Sequence, residues 1–290
     1  LLKYKVNKNI TEEAGEHMYN KNTGVALVTG ASTGIGKATA QVLAKAGYRV
    51  FGTSRRIVAD PAPGVTMLVC DVTRDESVRQ TVKEVVARAD RIDVLVNNAG
   101  QSLIGAAEES SINQAQALFE VNVFGVIRFT TEVLPVMRKQ RVGRIINVSS
   151  VAGFLPGAYT ALYNATKHAV EGYSESLDHE VRTLGIRVLL VEPAFTRTAL
   201  EENGMQPDRI SPAYEAGRMA MNARWQDGIA NGDPVEAVAD AVIKAATDNE
   251  SCLKLRYNPG KTSGRLRMMR RFVPEKAFEK SFRKQMGLPT

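Results

Sequence analysis

The segment YNATK sets Tyr163 and Lys167 four residues apart with no charged residue between them. On an α-helix that spacing puts both on one face, roughly 6 Å apart along the axis. A phenol beside a fixed ammonium can give a proton to, or take one from, a bound oxygen. Free tyrosine, with a pKa near ~10, exchanges protons poorly at neutral pH, and a neighbouring positive charge favours its phenolate. The same two residues on a solvated helix face would do no chemistry, so the rest of the chain must decide.

A second chemistry-bearing stretch lies upstream. VALVTGASTGIGKATA reads as a strand, a glycine-rich turn and a helix start. Gly30, Gly34 and Gly36 let the backbone approach a pyrophosphate, and the helix N-terminus offers N–H groups and positive dipole. The spacing is G-x3-G-x-G, a variant of the common dinucleotide fingerprint. The next strand-like run ends VFGTSRR, so Ser54, Arg55 and Arg56 stand where many NAD-binding folds carry an acid for the adenosine ribose. Guanidinium groups suit a 2′-phosphate through forked, charge-assisted hydrogen bonds, to which Ser32 could add a hydroxyl. NADP(H) is therefore expected over NAD(H), against the alternative of a solvated arginine pair.

Apolar runs predict the elements that must hold these groups. VALVTG (25–30), VFGTS (50–54), TMLVCDV (66–72), IDVLVNNAG (92–100), RIINVSS (144–150) and IRVLLVEP (186–193) read as strands, with CLKLRY (252–257) as an edge strand. Helical patterns fall between them, including long stretches over 112–140 and 158–184. The strands are rich in Val, Ile and Leu without polar alternation, which suits a parallel sheet covered on both faces. The expectation is one α/β domain over 21–263, a Rossmann-type doubly wound parallel sheet with helices on both faces. Residues 194–232 carry Gly, Asn and Pro breaks and are expected to form a substrate loop over the carboxyl edge. Order resumes at DPVEAVADAVIKAA, with Asp233 as N-cap, Pro234 at N1 and Glu236 at the reciprocal capping position.

Composition narrows the class. The 290 residues are 44% hydrophobic and 24% charged, ordinary for a globular chain. No apolar run reaches the ~18 residues of a membrane span, and the N-terminus lacks a signal-peptide core. A cytoplasmic, reducing setting is expected, with Cys70 a buried free thiol inside an apolar run. No His, Cys and carboxylate cluster suggests a metal. His168 and His179 read as packing or surface residues, and Asp178 and Glu180 as solvated positions. Trp225, Met205, Met219 and Met221 read either as core or as the lining of an apolar substrate pocket. Residues 1–20 are polar, aperiodic and set apart as an extension, in part of cloning origin.

The basicity belongs to one end. From Cys252 onward eleven Lys or Arg face two glutamates, which makes +9 within a chain of net charge +7 and leaves −2 for the rest. Residues 264–290 set Leu266, Met269, Phe272, Phe278, Phe282 and Met286 at near-helical spacing, with Pro274 dividing two short helices. Such a segment can lie on an anionic membrane surface, cover a substrate entrance, or pack on its own domain or a partner subunit. Nucleic acid is not expected, because no recognised binding motif accompanies the charge.

Taken together, TGASTGIG (29–36), CDV (70–72), NNAG (97–100), VNVFG (121–125), NVSS (147–150) and YNATK (163–167) resemble the short-chain dehydrogenase/reductase family in order and spacing, over roughly residues 24–198. TSRR and the basic C-terminal segment resemble its steroid- and retinol-dehydrogenase-like branch. The resemblance implies a seven-stranded sheet, a nicotinamide cofactor, a small-molecule carbonyl or alcohol substrate, and a homodimer or homotetramer. It implies Asn122, Ser150, Tyr163 and Lys167 as catalytic positions, with Ser150 preferred to Ser149 by its interval to Tyr163. It extends the cofactor-binding set to Thr33, Ile35, Asp71, Val72, Asn98, Ala99, Gly100, Pro193, Thr196 and Thr198, beside Tyr163 and Lys167. Family members commonly follow the sixth strand with Pro-Gly, where this chain has Pro193-Ala194. The function expected is an NADP(H)-dependent oxidoreductase acting on a hydrophobic steroid-, retinoid- or lipid-like substrate. A non-catalytic NADP(H)-sensing module and a membrane-peripheral scaffold are the alternatives.

Overall fold

The computed structural model describes residues 24–198 and 204–286, so the extension at 1–20 lies outside the described residues. Strands β1 (Val25–Val28), β2 (Arg49–Ser54), β3 (Val65–Val69), β4 (Val94–Asn97), β5 (Gly143–Val148), β6 (Ile186–Val191) and β7 (Arg256–Tyr257) form one sheet. Its seven strands run β3-β2-β1-β4-β5-β6-β7, and each neighbouring pair is parallel. The order reverses between β1 and β4, the switch point where open parallel sheets leave a crevice outside their carboxyl ends.

Both faces are covered, which explains the unbroken apolar runs. Ala26, Val28, Val94 and Val96 pack with Leu43 of α1 (Gly34–Lys45) and Val238 and Val242 of α7 (Val235–Thr247). Their alternates Val25, Leu27 and Leu95 pack with α2 (Asp75–Ala89), α4 (Gly125–Gln140) and α5 (Ala161–Val181) through Val82, Phe129 and Leu177. The long helical stretch over 112–140 is α3 (Ile112–Phe119) and α4 joined by a π-helical turn, Glu120–Phe124. The predicted edge strand at 252–257 shortens to β7, two residues beside β6.

Two expectations about single residues are corrected. Asp178 is not solvated: it is 1% exposed and ties α5 to β6 by accepting from Arg187 Nε at 2.9 Å, from Arg182, and from the Val188 N–H at 2.9 Å. Glu180 and His179 are exposed, as expected. Asp233 is not the cap of α7. Its N–H donates to Phe195 O and its carbonyl accepts from the Arg197 N–H, a bridge that holds it extended, so Pro234 takes the N-cap.

Residues 194–232 are not only loop. They include α6 (Glu215–Ala230), whose Gly217 and Gly228 look like breaks in sequence. Side chains at those two positions would collide with Tyr159 and Phe195, so the glycines are sites of close approach. A buried ion pair anchors α6: Glu109, fully buried, accepts from Arg218 and from the Ser211 N–H at 3.0 Å. The expected boundary at 263/264 falls inside α8 (Gly260–Phe272), which α9 (Glu275–Gln285) follows after Pro274. Ser263 is buried and donates to the Glu192 carbonyl, so the helix begins as part of the domain.

Burial makes the Asp178 pairing costly to break. Burial opposes its ionisation, but hydrogen bonds from Arg187, Arg182 and Val188 outweigh it and hold its pKa below the usual carboxylate range. A lowered folded pKa means the pairing contributes fully above the unfolded value of about 3.9 and is lost only as pH falls through the folded one. Asp178→Ala is expected to lower unfolding free energy at neutral pH by about 3 kcal/mol in urea titration. An unchanged midpoint would show that the pairing adds nothing.

Candidate active site

Six parallel strands, β1 to β6, deliver the site from one edge of the sheet. β1 runs into the glycine turn, where Gly30 (φ +66°) and Gly34 (φ +52°) adopt left-handed backbone that side-chain-bearing residues resist. A Cβ at Gly36 would collide with the Gly30 carbonyl and crowd Asn98 Nδ2. Asn98, one residue past β4, braces that turn by donating to Thr29 O at 2.9 Å and Gly30 O at 3.2 Å. The buried Thr29 hydroxyl accepts from the N–H groups of Asn98 and Ala99 at 2.9 and 3.0 Å. Thr33 makes no side-chain cap on α1, which leaves first-turn N–H groups facing the crevice for an anion.

β2 ends at Ser54, whose Oγ accepts from the Arg56 N–H at 3.3 Å, and both Arg55 and Arg56 are exposed. Beyond β3, Asp71 accepts from the Thr73 N–H and hydroxyl at 3.0 and 2.8 Å. Burial works against its charge, yet these bonds and the Arg55 and Arg74 cations draw its pKa below the ordinary value.

The phenol and ammonium come from the first turns of α5. Tyr163 and Lys167 are both buried, and Lys167 Nζ stands 5.8 Å from the Tyr163 ring centroid. Lys167 Nζ donates to Val148 O, the last residue of β5, at 3.0 Å. Burial lowers its pKa to about 8, against the opposing charge of Glu171 one turn on. Ser150 is half-buried, and its Oγ accepts from the Ala152 N–H at 3.1 Å. The Ser149 hydroxyl is buried instead, with no hydrogen-bond partner among the described residues.

These elements wall one cleft of about 920 Å³, at the upper end for small-molecule sites. Every catalytic or cofactor-binding residue named from sequence lines it except Asn122: Gly30, Ser32, Thr33, Gly34, Ile35, Gly36, Ser54, Arg55, Arg56, Asp71, Val72, Asn98, Ala99, Gly100, Ser150, Tyr163, Lys167, Pro193, Thr196 and Thr198. Asn122 is buried in the π-turn. Its Oδ1 accepts from the Gln101 N–H at 2.8 Å, and its Nδ2 donates to Gln101 O at 2.9 Å and Thr166 Oγ1 at 3.1 Å. It therefore ties the kink to α5 from behind the wall.

At the other end the lining is apolar. Tyr163 meets Trp225 edge-on at 6.2 Å, and Trp225 meets Phe195 at 5.3 Å. Met221, Leu155, Leu266, Phe282 and Met286 join them. Met205 lines a separate cavity of about 400 Å³, and Met219 points to solvent, 64% exposed. Sequence reading singled out none of Leu155, Phe195, Arg224 and Arg265 on the wall, although the last three fall in the stretches expected to reach the substrate.

Behind Lys167 lies a network also invisible in sequence. Glu171 and Glu192, both buried, share Arg256 at 3.1 and 3.2 Å. Arg267 of α8 adds a forked contact to Glu192 at 2.5 and 2.8 Å. Burial, then the Glu171 charge, pushes the Glu192 pKa up. Glu171 Oε1 has no hydrogen-bond partner among the described residues. Arg267 also stacks 4.6 Å over Phe154, beside the loop that follows Ser150. Among the described residues no cluster could hold a metal.

The donors present fit a nicotinamide dinucleotide: left-handed glycines, a turn that a Cβ would fill, an uncapped helix start and a cationic far wall. A family model described as short chain dehydrogenase matches residues 24–208. A Bacteroides thetaiotaomicron protein named 3-ketodihydrosphingosine reductase is 45% identical over 179 residues, 62% of this chain and 66% of its own length. The Bacillus subtilis oxidoreductase YusZ is 34% identical over 281 residues, 91% of this chain and 99% of its own. A short-chain dehydrogenase from Streptomyces avermitilis superposes with TM-score 0.77 at 35% identity, covering 92% of this chain and 100% of that one. Cofactor-bound structures include ElxO with NADP (TM-score 0.68, 25% identity, 81% and 97% covered). A Burkholderia phymatum enzyme with NAD gives TM-score 0.76 at 25% identity, with 91% and 97% covered.

The lysine can be titrated directly. Competitive acetylation read by peptide mass spectrometry should give Lys167 a midpoint at about 8, where an ordinary lysine lies near ~10.4. Glu171→Gln removes the charge that raises it, so the midpoint should fall further. A midpoint that stays put would show that Glu171 does not act on the ammonium.

Proposed function

The chain belongs to the short-chain dehydrogenase/reductase family, an oxidoreductase family acting on CH–OH and C=O groups, and from that premise we propose an NADP(H)-dependent enzyme for a hydrophobic, lipid-like ketone or alcohol. The observation that carries the reading is convergence: Tyr163, Lys167 and Ser150 wall the same cleft as the glycine turn and the arginine pair. A sensor would have no need of a buried ammonium beside a buried phenol.

When bound, the dinucleotide supplies or accepts the hydride at the substrate carbon. Tyr163 Oη gives the proton that the carbonyl oxygen takes up, which completes the alcohol. The Lys167 ammonium, held by Val148 O, stabilises the phenolate left behind until solvent restores its proton. Ser150 Oγ donates to the substrate oxygen and sets its distance. Asn122 is a positioning residue, its amide committed to Gln101 and Thr166 in the π-turn.

Support for NADP(H) comes from Arg55 and Arg56 at the end of β2, in the positions where many NAD-binding folds carry an acid. Support for a lipid-like substrate comes from the Trp225, Met221, Leu266 and Phe282 wall, and from the relative named as a 3-ketodihydrosphingosine reductase. The domain would span 21–263 plus the docked α8 and α9. The cytoplasmic setting and the homodimer or homotetramer belong to the same proposal.

Tryptophan fluorescence and NADPH oxidation, with long-chain and short-chain carbonyls, test the reading. Tyr163→Phe should cut kcat by roughly 100-fold or more while NADPH still binds. Arg55→Ala with Arg56→Ala should weaken NADPH roughly 100-fold and NADH little, since each charge-assisted bond contributes about 1.5–3 kcal/mol. Reduction by the unmodified protein should decline as pH rises through about 8, where Lys167 loses its proton. Full turnover by the phenylalanine variant would sink the proton-donor role, and equal loss of both cofactors would sink the phosphate role.

A further inference from the structure

The C-terminal helix pair faces two ways. Inward, Leu266, Phe282 and Met286 line the cleft, and Phe278, 4% exposed, packs under Arg270, whose guanidinium lies 5.2 Å over its ring. Outward, Lys261, Arg265, Met268 and Phe272 stand at i, i+4, i+7 and i+11 of α8, one stripe of a helix. All four are exposed, Met268 to 59% and Phe272 to 66%. On α9, Lys276, Lys280 and Lys284 repeat every fourth residue and are exposed too. The cleft begins where this stripe does, because Thr262 and Arg265 are both exposed and part of its wall.

Large apolar side chains flanked by a row of cations are the chemistry of a helix lying in a bilayer interface. We propose that the outward face of α8, with the lysine row of α9, docks the protein on an anionic lipid bilayer. Met268 and Phe272 enter the headgroup–acyl boundary, the cations meet anionic headgroups, and the rim of the cleft at Arg265 turns to the membrane. Charge selects this occupant. Lys261, Arg265, Lys276, Lys280 and Lys284 stand exposed here against Glu275 and Glu279, so two copies of the face would repel one another across a two-fold contact. An anionic leaflet attracts each cation, and salt screens the attraction beyond about 10 Å. No helix among the described residues is long and apolar enough to cross a membrane, so this contact is peripheral.

Sedimentation of the full chain with sucrose-loaded vesicles reads the contact without any turnover, so its failure and that of the oxidoreductase reading are separable. Vesicles of phosphatidylcholine with phosphatidylserine should carry the protein down at low salt and release it as salt rises. Phosphatidylcholine alone should leave it in the supernatant. Lys276→Ala with Lys280→Ala should weaken binding roughly 25-fold, about five-fold per cation. Met268→Ser with Phe272→Ser should weaken it by roughly ten-fold or more. Thermal melts that overlay the unmodified protein would show the fold intact, as the exposure of all four positions leads one to expect. No sedimentation with anionic vesicles, or equal binding by both variants, overturns the proposal. So does an apolar-pair variant that alters the mass at sedimentation equilibrium while vesicle binding persists, which assigns the face to a second copy.

Discussion

An ammonium taken out of water is the constraint on which the site depends. Lys167 is buried at the wall of the cleft, and the cost appears as a pKa drawn down to about 8. A buried charge must be compensated by hydrogen bonds and neighbouring charge. Here the Val148 carbonyl supplies the first and Glu171 the second. Glu171 is itself buried and needs a cation, which Arg256 provides from β7. Arg256 also meets Glu192, which requires more positive charge and finds it in Arg267 of α8. The chain of compensation thus runs from the active-site lysine to the C-terminal helices.

That chain changes the meaning of the basic tail. Two of its arginines are spent inside, on carboxylates behind the cleft, and one of these stacks on Phe154. α8 is therefore a structural member of the site, and its entry is fixed by Ser263 on the Glu192 carbonyl. Lys261, Arg265, Lys276, Lys280 and Lys284 lie exposed on the outer faces. One segment compensates buried charge on its inner side and presents charge to the surroundings on its outer side.

Much of the architecture was legible because parallel strands buried on both faces leave a plain apolar signal. β1, β4 and β6 each fall within a predicted run, β5 begins one residue before its own, and the glycine turn announces its left-handed backbone by composition. The cleft lining named by motif was legible for the same reason: TGASTGIG and YNATK encode local geometry. What escaped is tertiary. Asp178 reads as a solvated helix residue, and only the return of β6 beside α5 buries it against Arg187. α6 hides because its glycines answer to Tyr159 and Phe195, residues far away in sequence, rather than to helix propensity.

Glu171 and Glu192 show the limit most sharply. A glutamate in HAVEGYSES and another in VLLVEPAF carry no shared spacing, and each alone suggests a surface residue. Their partners Arg256 and Arg267 sit in a segment whose composition suggests solvation or binding elsewhere. Only the sheet topology, which lays β7 beside β6 and brings α8 over the loop after Ser150, turns four scattered charges into one network. A buried polar network is costly unless every member is satisfied, and Glu171 Oε1 is not. A Cβ at Gly153 would collide with Glu171 Cγ at 2.8 Å and Ser149 Oγ at 2.9 Å and crowd Glu171 Oε1 at 3.2 Å. A side chain there would meet both oxygens, so the small residue is required by the network rather than by the turn.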